Sequence, residues 1–255
     1  GFMTMLSFEL PFFITAVSFV GVLSLALAFT EPPRSGASFS QGNEILRLRT
    51  LGKSLTEPLL IWFFALTVVM YIFSHVPYVF GQPFIQEALR TSGLDGEAPI
   101  VSGIVTAVMM LTSVGTSLFA LKLRKKLGLT AILLTAFSIQ IALVIVLTLT
   151  NEMLAIAVLL LRMVPNSLSK PFISAHIQPL LDDMSRATYV SLQSFCGRLV
   201  FAGTLFFASK FTSTESQMSY SEIQAVLGWY SICGLLALVL LAVSACHLFN
   251  KGADQ

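Results

Sequence analysis

The sequence predicts an all-α fold, a polytopic transmembrane helical bundle with seven spans. Hydrophobic residues make up 55% of the 255-residue chain and charged residues only 11%, a composition typical of helical membrane proteins. Seven apolar segments each reach the roughly 20 residues that a helix needs to cross a bilayer. Ten of the fifteen Lys and Arg residues fall in alternate connections between these segments, as expected for a chain that crosses a membrane repeatedly.

The predicted spans are long apolar runs separated by short polar connections. They are Leu10–Phe29, Pro58–Phe80, Pro99–Leu121, Leu127–Leu149, Glu152–Leu180, Thr188–Ser209 and Gln224–Leu248. The first contains the run SLALAF, which resembles a signal-peptide cleavage site, but Glu9 is the only charge ahead of it and the basic residues follow. A signal peptide has the opposite charge order, so a retained helix is predicted. Trp62 and Trp229 lie near span ends, where aromatic residues often mark the membrane interface.

The basic residues orient the predicted spans. Those assigned to the inner side are Arg34, Arg47, Arg49, Lys53, Lys122, Arg124, Lys125, Lys126, Arg186 and Lys251. The opposite loops contain only Arg90 and Lys210. The positive-inside rule therefore predicts that the first helix starts outside and that the C-terminus is cytoplasmic. We expect an integral protein of the bacterial inner (plasma) membrane.

The longest connection, residues 31–57, is predicted to be a cytoplasmic loop. It opens with Glu31-Pro32-Pro33 and continues in small residues, a composition typical of linkers. Its second half, NEILRLRTLGKSL, places apolar residues near one helical face, namely Ile45, Leu48, Leu51 and Leu55. Two interpretations remain open: a helix that lies on the anionic inner leaflet, and a solvated basic loop.

Ionisable residues inside the predicted spans are the main functional signal. They are His75, Arg162, Lys170, His176 and Arg198. A charged residue at mid-bilayer costs about 2.5–3.5 kcal/mol, so such side chains must face protein or water. For Lys170, His176 and Arg198, which lie nearer an interface, a structural role is equally compatible. His75 also suits a helix–helix hydrogen bond.

Polar residues follow one face on each of four predicted helices, given 100° of rotation per residue. The four stripes are Tyr71, His75, Tyr78 and Gln82; Ser102, Thr106, Met109 and Ser113; Arg162, Asn166, Ser169 and His176; and Ser191, Ser194 and Arg198. Four polar faces together predict an aqueous cavity. The candidate substrate-contacting residues are Tyr71, His75, Tyr78, Gln82, Thr106, Arg162, Asn166, Ser169 and Arg198.

Prolines accompany two of these polar faces. Pro77 lies in the second span, and Pro165 and Pro171 lie in the fifth. Each removes a backbone donor, so the sequence predicts bends or breaks beside the polar residues. A break near the midplane frees carbonyls and helix ends that contact a solute, whereas a kink without further role is the simpler alternative.

Several functional classes are not favoured. The three cysteines lie inside spans and are odd in number, which argues against a disulfide framework or a metal site. No Asp or Glu lies at mid-membrane depth, so neither catalytic residues nor an enzyme is expected. The basic residues form no continuous stripe for nucleic acid, and no cofactor is expected. A seven-helix receptor stays an alternative, although the last span has no Lys for a retinal Schiff base.

Two segments resemble the major facilitator superfamily, especially its twelve-helix drug:proton antiporters. The stretch LRMVPNSLSKPFISAHIQPLLDDMSRATYVSLQSFCGRL is similar to the tenth and eleventh family helices. There a cytoplasmic motif starts the eleventh helix, matched here by Arg186, Ala187, Thr188 and Ser191. The stretch LPFFITAVSFVGVLSLALAFTEPP resembles the sixth helix and the start of the central loop.

The resemblance covers nearly the whole chain and implies its domain organisation. Residues 1–30 would be the last helix of the N-terminal bundle, residues 31–57 the central loop, and residues 58–255 the C-terminal six-helix bundle with a short tail. The implied activity is secondary active transport of a small organic solute, with proton-linked efflux of drugs or metabolites expected. The implied partners are this solute, the lipid bilayer, protons and the N-terminal half of the same transporter.

Two departures from the family pattern matter. The segment KLRKKLG, Lys122 to Gly128, keeps the basic residues of a family loop motif but has no Asp, which argues against a charge latch built on that residue. The first five family helices, with their proton-coupling acids, are not in this chain, and with its start at Gly1 we expect a piece of a longer protein. A transporter-derived membrane scaffold without transport activity is the alternative.

Overall fold

A computed structural model describes residues 9–28, 52, 56–181, 183–211 and 218–250. Within these ranges the regular structure is helical and contains no strand, which confirms the predicted all-α helical bundle. The α-helices are α1 (Leu10–Ala28), α2 (Pro58–Val79), α3 (Gly81–Thr91), α4 (Ala98–Leu127), α5 (Leu129–Leu149), α6 (Val164–Ile177), α7 (Asp183–Ala208) and α8 (Tyr220–Asn250). The 3-10 segments are Asp95–Glu97, Met153–Leu161, Gln178–Leu180 and Ser209–Phe211.

The described residues contain six helical segments that are long and apolar enough to cross a membrane. They are Pro58–Thr91, Ala98–Leu127, Leu129–Leu149, Ala155–Leu180, Ser185–Ala208 and Tyr220–Leu248, and they identify an integral membrane protein. The first predicted span is also helical, as α1, and its side chains from Phe12 to Ala28 are exposed. The predicted interfacial helix of the central loop lies outside the described residues.

Helix α5 occupies the centre of the bundle and packs against α2, α6 and α8. Leu133, Phe137 and Val144 on this helix are fully buried. Gly234 of α8 lets that helix approach closely, because a Cβ at this position would lie 2.6 Å from Cζ of Phe73 and 3.1 Å from Cγ1 of Ile141. Small residues at such crossings are the usual way in which membrane helices gain packing contacts.

Helix α2 also carries hydrogen bonds that join it to its neighbours. Buried side chains of α5 and α7 donate to its backbone carbonyls: Gln140 to Met70 at 3.3 Å, Tyr189 to Leu60 at 2.8 Å, and Gln193 to Phe63 at 3.5 Å. In the other direction, Nε1 of Trp62 donates to the carbonyl of Leu241 at 3.0 Å. Trp62 therefore links α2 to α8 through a buried hydrogen bond, and only 3% of its surface is exposed.

The second predicted span continues past a break at Phe80 into α3. This amphipathic helix lies in the connection between the second and third predicted spans. Phe84, Ile85 and Leu89 are its buried face, and Arg90 pairs with Glu87 on the exposed side at 2.9 Å. Pro77 lies one turn before the break. The missing N–H of this proline weakens the end of α2, although Phe80 itself keeps a helical backbone conformation.

The fifth predicted span is not one helix. Residues Met153–Leu161 form a 3-10 segment, Arg162 and Met163 form a turn, and α6 begins at Val164. Pro165 lies in the first turn of α6, a position that proline tolerates because no intrahelical N–H is needed there. The break therefore precedes Pro165 rather than following from a kink at it, and only Pro171 is inside the helix.

A single glycine joins α4 to α5 at the end where three basic residues lie in the last turn of α4. Gly128 has φ 84°, a backbone conformation that L-residues with a Cβ rarely adopt. Its N–H donates to the carbonyl of Arg124 at 2.8 Å, which closes the last turn. Gly128 is thus the single residue that connects α4 to α5.

Candidate functional site

A cavity of about 440 Å³ lies between α2, α3, α4, α6 and the 3-10 segment. Its polar lining comes from each of the helical elements except the 3-10 segment: Ser74, His75, Tyr78, Gln82, Ser102, Thr106, Arg162, Asn166 and Lys170. Its apolar lining includes Ile85, Val105, Met109, Met110, Leu159 and Met163. Tyr78, Gln82 and Thr106 are exposed, so the cavity opens to the surface of the described part of the chain.

Arg162 lies where the 3-10 segment ends and the chain turns into α6. Its guanidinium carbon is 5.2 Å from the centre of the Tyr78 ring, a cation–π contact. Its Nη1 donates to the carbonyl of Pro77 at 3.5 Å, which is longer than an ordinary N–H···O hydrogen bond and therefore weak. Its Nε is buried and has no hydrogen-bond partner among the described residues. The protein therefore provides hydrogen-bond acceptors for only part of the Arg162 guanidinium.

The charged side chains in the described lining of the cavity all carry positive charge. Arg162 and Lys170 both line it, and no Asp or Glu is among the described lining residues. Lys170 is exposed and Arg162 is half-buried, so water screens the charge of Lys170 more strongly. The result is a cavity with positive potential, strongest beside the half-buried guanidinium.

His75 supplies the imidazole of the cavity lining. Its Nδ1 lies 2.7 Å from the carbonyl of Tyr71 and 3.1 Å from Oγ of Ser74. Donation by Nδ1 to the carbonyl leaves Nε2 as the acceptor. The ring stacks on that of Tyr71 with a centroid distance of 4.0 Å, which fixes its orientation.

Hydroxyl and amide groups complete the polar wall. Thr106 Oγ1 donates to the carbonyl of Ser102 at 2.8 Å, so the hydroxyl retains acceptor capacity towards the cavity. The amide of Asn166 has one weak contact, from Nδ2 to Sδ of Met163 at 3.7 Å. The hydroxyls of Ser113 and Ser167 lie 2.8 Å apart and tie α4 to α6.

Six of the nine predicted contact residues meet in this cavity, namely His75, Tyr78, Gln82, Thr106, Arg162 and Asn166. Tyr71, Ser169 and Arg198 do not line it. Tyr71 packs between His75 and α7, where a Cβ on Gly197 would be 3.0 Å from its ring. Arg198 is exposed on α7, so the predicted stripe of the sixth span does not contribute to this cavity.

The polar face predicted for the fifth span is rotated about the helix axis relative to the face of α6 that lines the cavity. The position of Ser169 shows this difference. Ser169 is 1% exposed, and its hydroxyl donates to the carbonyl of Pro165 at 2.8 Å. Asn166 and Lys170, four residues apart on α6, form the face that reaches the cavity. Relative to Asn166, Ser169 lies on the side opposite to Lys170, and that side packs into the bundle.

Ser102 and Met109 also line the cavity, as the predicted stripe of the third span implies. The other lining residues were missed for two reasons. Ser74 and the apolar wall residues, such as Leu159 and Met163, carry no signal that distinguishes a cavity from lipid. Lys170 was set aside as a residue that extends to the interface. The four-residue spacing from Arg162 through Asn166 to Lys170 was the available signal that would have included it.

The motif residues Arg186, Ala187, Thr188 and Ser191 lie in the first turns of α7. Arg186 Nη2 donates to the carbonyl of Gln178 at 2.9 Å, which joins α7 to the 3-10 turn that ends the fifth span. Ala187, Thr188 and Ser191 are exposed. The contact places the motif at the same end of the bundle as the basic end of α4, where Arg124 Nη2 lies 3.5 Å from Nε2 of His176.

A second cavity, of about 410 Å³, lies between α2, α7 and α8. It is lined almost entirely by apolar and aromatic side chains, among them Phe73, Phe207, Trp229 and Tyr230. The hydroxyl of Tyr230 donates to Oγ1 of Thr204 at 2.8 Å. With so few polar groups, this cavity offers nothing that would orient a polar solute.

Comparison with known proteins adds no assignment to this geometry. Among the described residues there is no cluster of three or more His, Cys, Asp or Glu side chains that would hold a metal ion. No family model matches the chain, and no curated protein or solved structure is significantly similar to it.

Proposed function

We propose that the chain is the C-terminal half, with the last helix of the N-terminal half, of a secondary active transporter that moves a small organic solute by alternating access. The observation that carries the proposal is the polar cavity beside the broken fifth span, inside helices that are otherwise apolar. Polar and charged groups at this depth are costly to maintain and mark solute pathways in membrane proteins. The resemblance to major facilitator transporters supports the same conclusion.

In this mechanism the six-helix bundle rocks against the N-terminal bundle around a site near the bilayer midplane. The open mouth at Tyr78, Gln82 and Thr106 suits a cavity that the second bundle completes. The junction at Arg162 and Met163 supplies helix ends and a partly satisfied cation at the solute. His75 is the candidate for proton linkage within this half, since it is the histidine of the cavity lining.

Alternating access is testable without knowledge of the solute. In a variant with Cys196, Cys233 and Cys246 replaced by serine and joined to the N-terminal half, Thr106→Cys is expected to react with a membrane-impermeant maleimide from either side of the membrane. The reason is that the cavity opens to each side in turn. The rate of labelling is measured in right-side-out and inside-out vesicles. Reaction from one side only would favour a receptor or a static scaffold.

The orientation is tested in the same cysteine-free background. We expect Ser92→Cys, in the connection after α3, to react with the maleimide in intact cells, and Lys125→Cys, at the basic end of α4, to react only after permeabilisation. The expectation follows from the placement of Lys and Arg on the cytoplasmic side. The two sites serve as controls for each other, and the reverse labelling would overturn both the orientation and the cytoplasmic C-terminus.

A further inference from the structure

We propose that the cavity selects organic anions, with a carboxylate or a similar group bound at Arg162 and an apolar or aromatic body held against the apolar side chains of the lining. The inference rests on the proposed function in that it names the substrate class of the same site. It is drawn from the charges, contacts and lining of the cavity.

The charged side chains of the cavity lining favour an anion over a cation. Arg162 and Lys170 share the cavity, and its described lining contains no carboxylate. Arg keeps its proton at any ordinary pH, so it cannot be neutralised by losing it. An organic cation would add a third positive charge to a poorly screened space, whereas an anion lowers the electrostatic energy of the occupied site.

The guanidinium of Arg162 is held weakly by the protein. Its Nη1 contact to Pro77, at 3.5 Å, is long and is the one hydrogen bond of this side chain within the described part of the chain. The face of Tyr78 stabilises the cation at 5.2 Å but accepts no strong hydrogen bond. A planar carboxylate matches the planar donor geometry of a guanidinium, which is the pairing that Arg makes best.

The apolar lining of the cavity suits the body of the solute. It includes Met109, Met110 and Met163 together with Leu159. Thioether side chains are polarisable and adapt to different apolar shapes, and they make favourable contacts with aromatic rings. The volume of about 440 Å³ falls within the range of pockets that hold small organic ligands. The site is therefore built for an amphiphilic anion rather than for an inorganic one.

Lys170 gives the anion a second, weaker partner. It lies on the same face of α6 as Asn166, eight residues after Arg162, which corresponds to roughly 12 Å at about 1.5 Å of rise per residue. Because Lys170 is exposed, water reduces its contribution. We therefore assign the selection of the anionic group to Arg162 and expect only a minor effect from Lys170.

The test uses three probes with one ring system: 2-naphthoate, 2-naphthalenemethanol and 2-naphthylmethylammonium. Binding to the purified protein in lipid nanodiscs is measured by calorimetry. We expect 2-naphthoate to bind at least about tenfold more tightly than the ammonium compound, with the alcohol in between. Equal affinities, or a preference for the ammonium compound, would overturn the proposal whatever the behaviour of any variant.

Variants then test whether Arg162 is the cause. Arg162→Gln is expected to remove the preference for 2-naphthoate while the affinity for the alcohol changes less than about threefold, and Arg162→Lys is expected to retain part of the preference. Lys122→Gln, at an exposed position on α4 outside the cavity, should leave all three affinities unchanged. Full preference for 2-naphthoate in Arg162→Gln would reject Arg162 as the anion partner.

The labelling of Thr106→Cys separates this proposal from the proposed function. If that cysteine reacts from both sides while the three probes bind equally, transport stands and the anion assignment fails. If the probes show the expected order while the cysteine reacts from one side only, the anion site stands and alternating access fails.

Discussion

Replacing Arg162 with alanine in the complete transporter is expected to lower solute flux by about tenfold or more, since a hydrogen bond to a charged group contributes about 1.5–3 kcal/mol. Folding and membrane insertion should change little. The carbonyl of Pro77 keeps a bond from the N–H of Phe80, and removal of a poorly satisfied buried charge relieves its desolvation cost. The measurement is vesicle flux of fluorescein, an organic anion, normalised to inserted protein.

Two further variants show whether the loss comes from the guanidinium. Arg162→Lys should recover only part of the flux, because a point charge does not reproduce a planar donor with two parallel N–H groups. Lys122→Ala, an exposed position near the end of α4, should keep nearly full flux. Wild-type flux in Arg162→Ala would mean that this residue only packs against Tyr78 and that the solute pathway lies elsewhere.

Gly234→Ala is expected to destabilise the bundle by about 1–3 kcal/mol, the usual cost of overpacking a filled core. The new Cβ would lie 2.6 Å from Cζ and 2.7 Å from Cε1 of Phe73. That ring is 4% exposed and packs edge-on against Phe137 with a centroid distance of 5.4 Å, so displacing it would disrupt this contact. The midpoint of thermal unfolding in detergent measures the loss.

Gly203→Ala is the matched control for this packing prediction. Its Cβ would meet no atom within 4 Å, and alanine favours a helix over glycine by up to about 1 kcal/mol, so its midpoint should stay the same or rise. The double variant Gly234→Ala, Phe73→Leu should recover part of the loss, because the smaller side chain frees the space at the crossing. An unchanged midpoint in Gly234→Ala alone would show that the ring of Phe73 can move.

The sequence predicted the helical spans well because apolar length is a local property. Each described span begins and ends within a few residues of its prediction, apart from the longer ends of α4, α7 and α8 and the continuation of the second span to Thr91. Helix α3 was missed because it is only 11 residues long and its apolar pairs, Phe84-Ile85 and Ala88-Leu89, are separated by polar residues. A short amphipathic helix between longer spans has the composition of a loop.

The candidate site was predicted in part, for a different physical reason. His75 and Arg162 stand out in an apolar sequence, and their helical spacing from Tyr78 and Asn166 is regular. The rotation of Ser169 into the bundle depends on how α6 packs against α5, which no local pattern contains. Trp62 is a similar case, since its hydrogen-bond partner Leu241 lies 179 residues away in the chain.

The 3-10 segment Met153–Leu161 has a mechanical consequence for the residue that follows it. A 3-10 helix rises about 2.0 Å per residue and an α-helix about 1.5 Å, so these nine residues form a rod about 4.5 Å longer than the same residues in α-helical form. A change from 3-10 to α-helical winding would draw Arg162 along the axis by that distance while Met153 stays in place. A local change of helix type would thus move Arg162 by nearly the length of one α-helical turn.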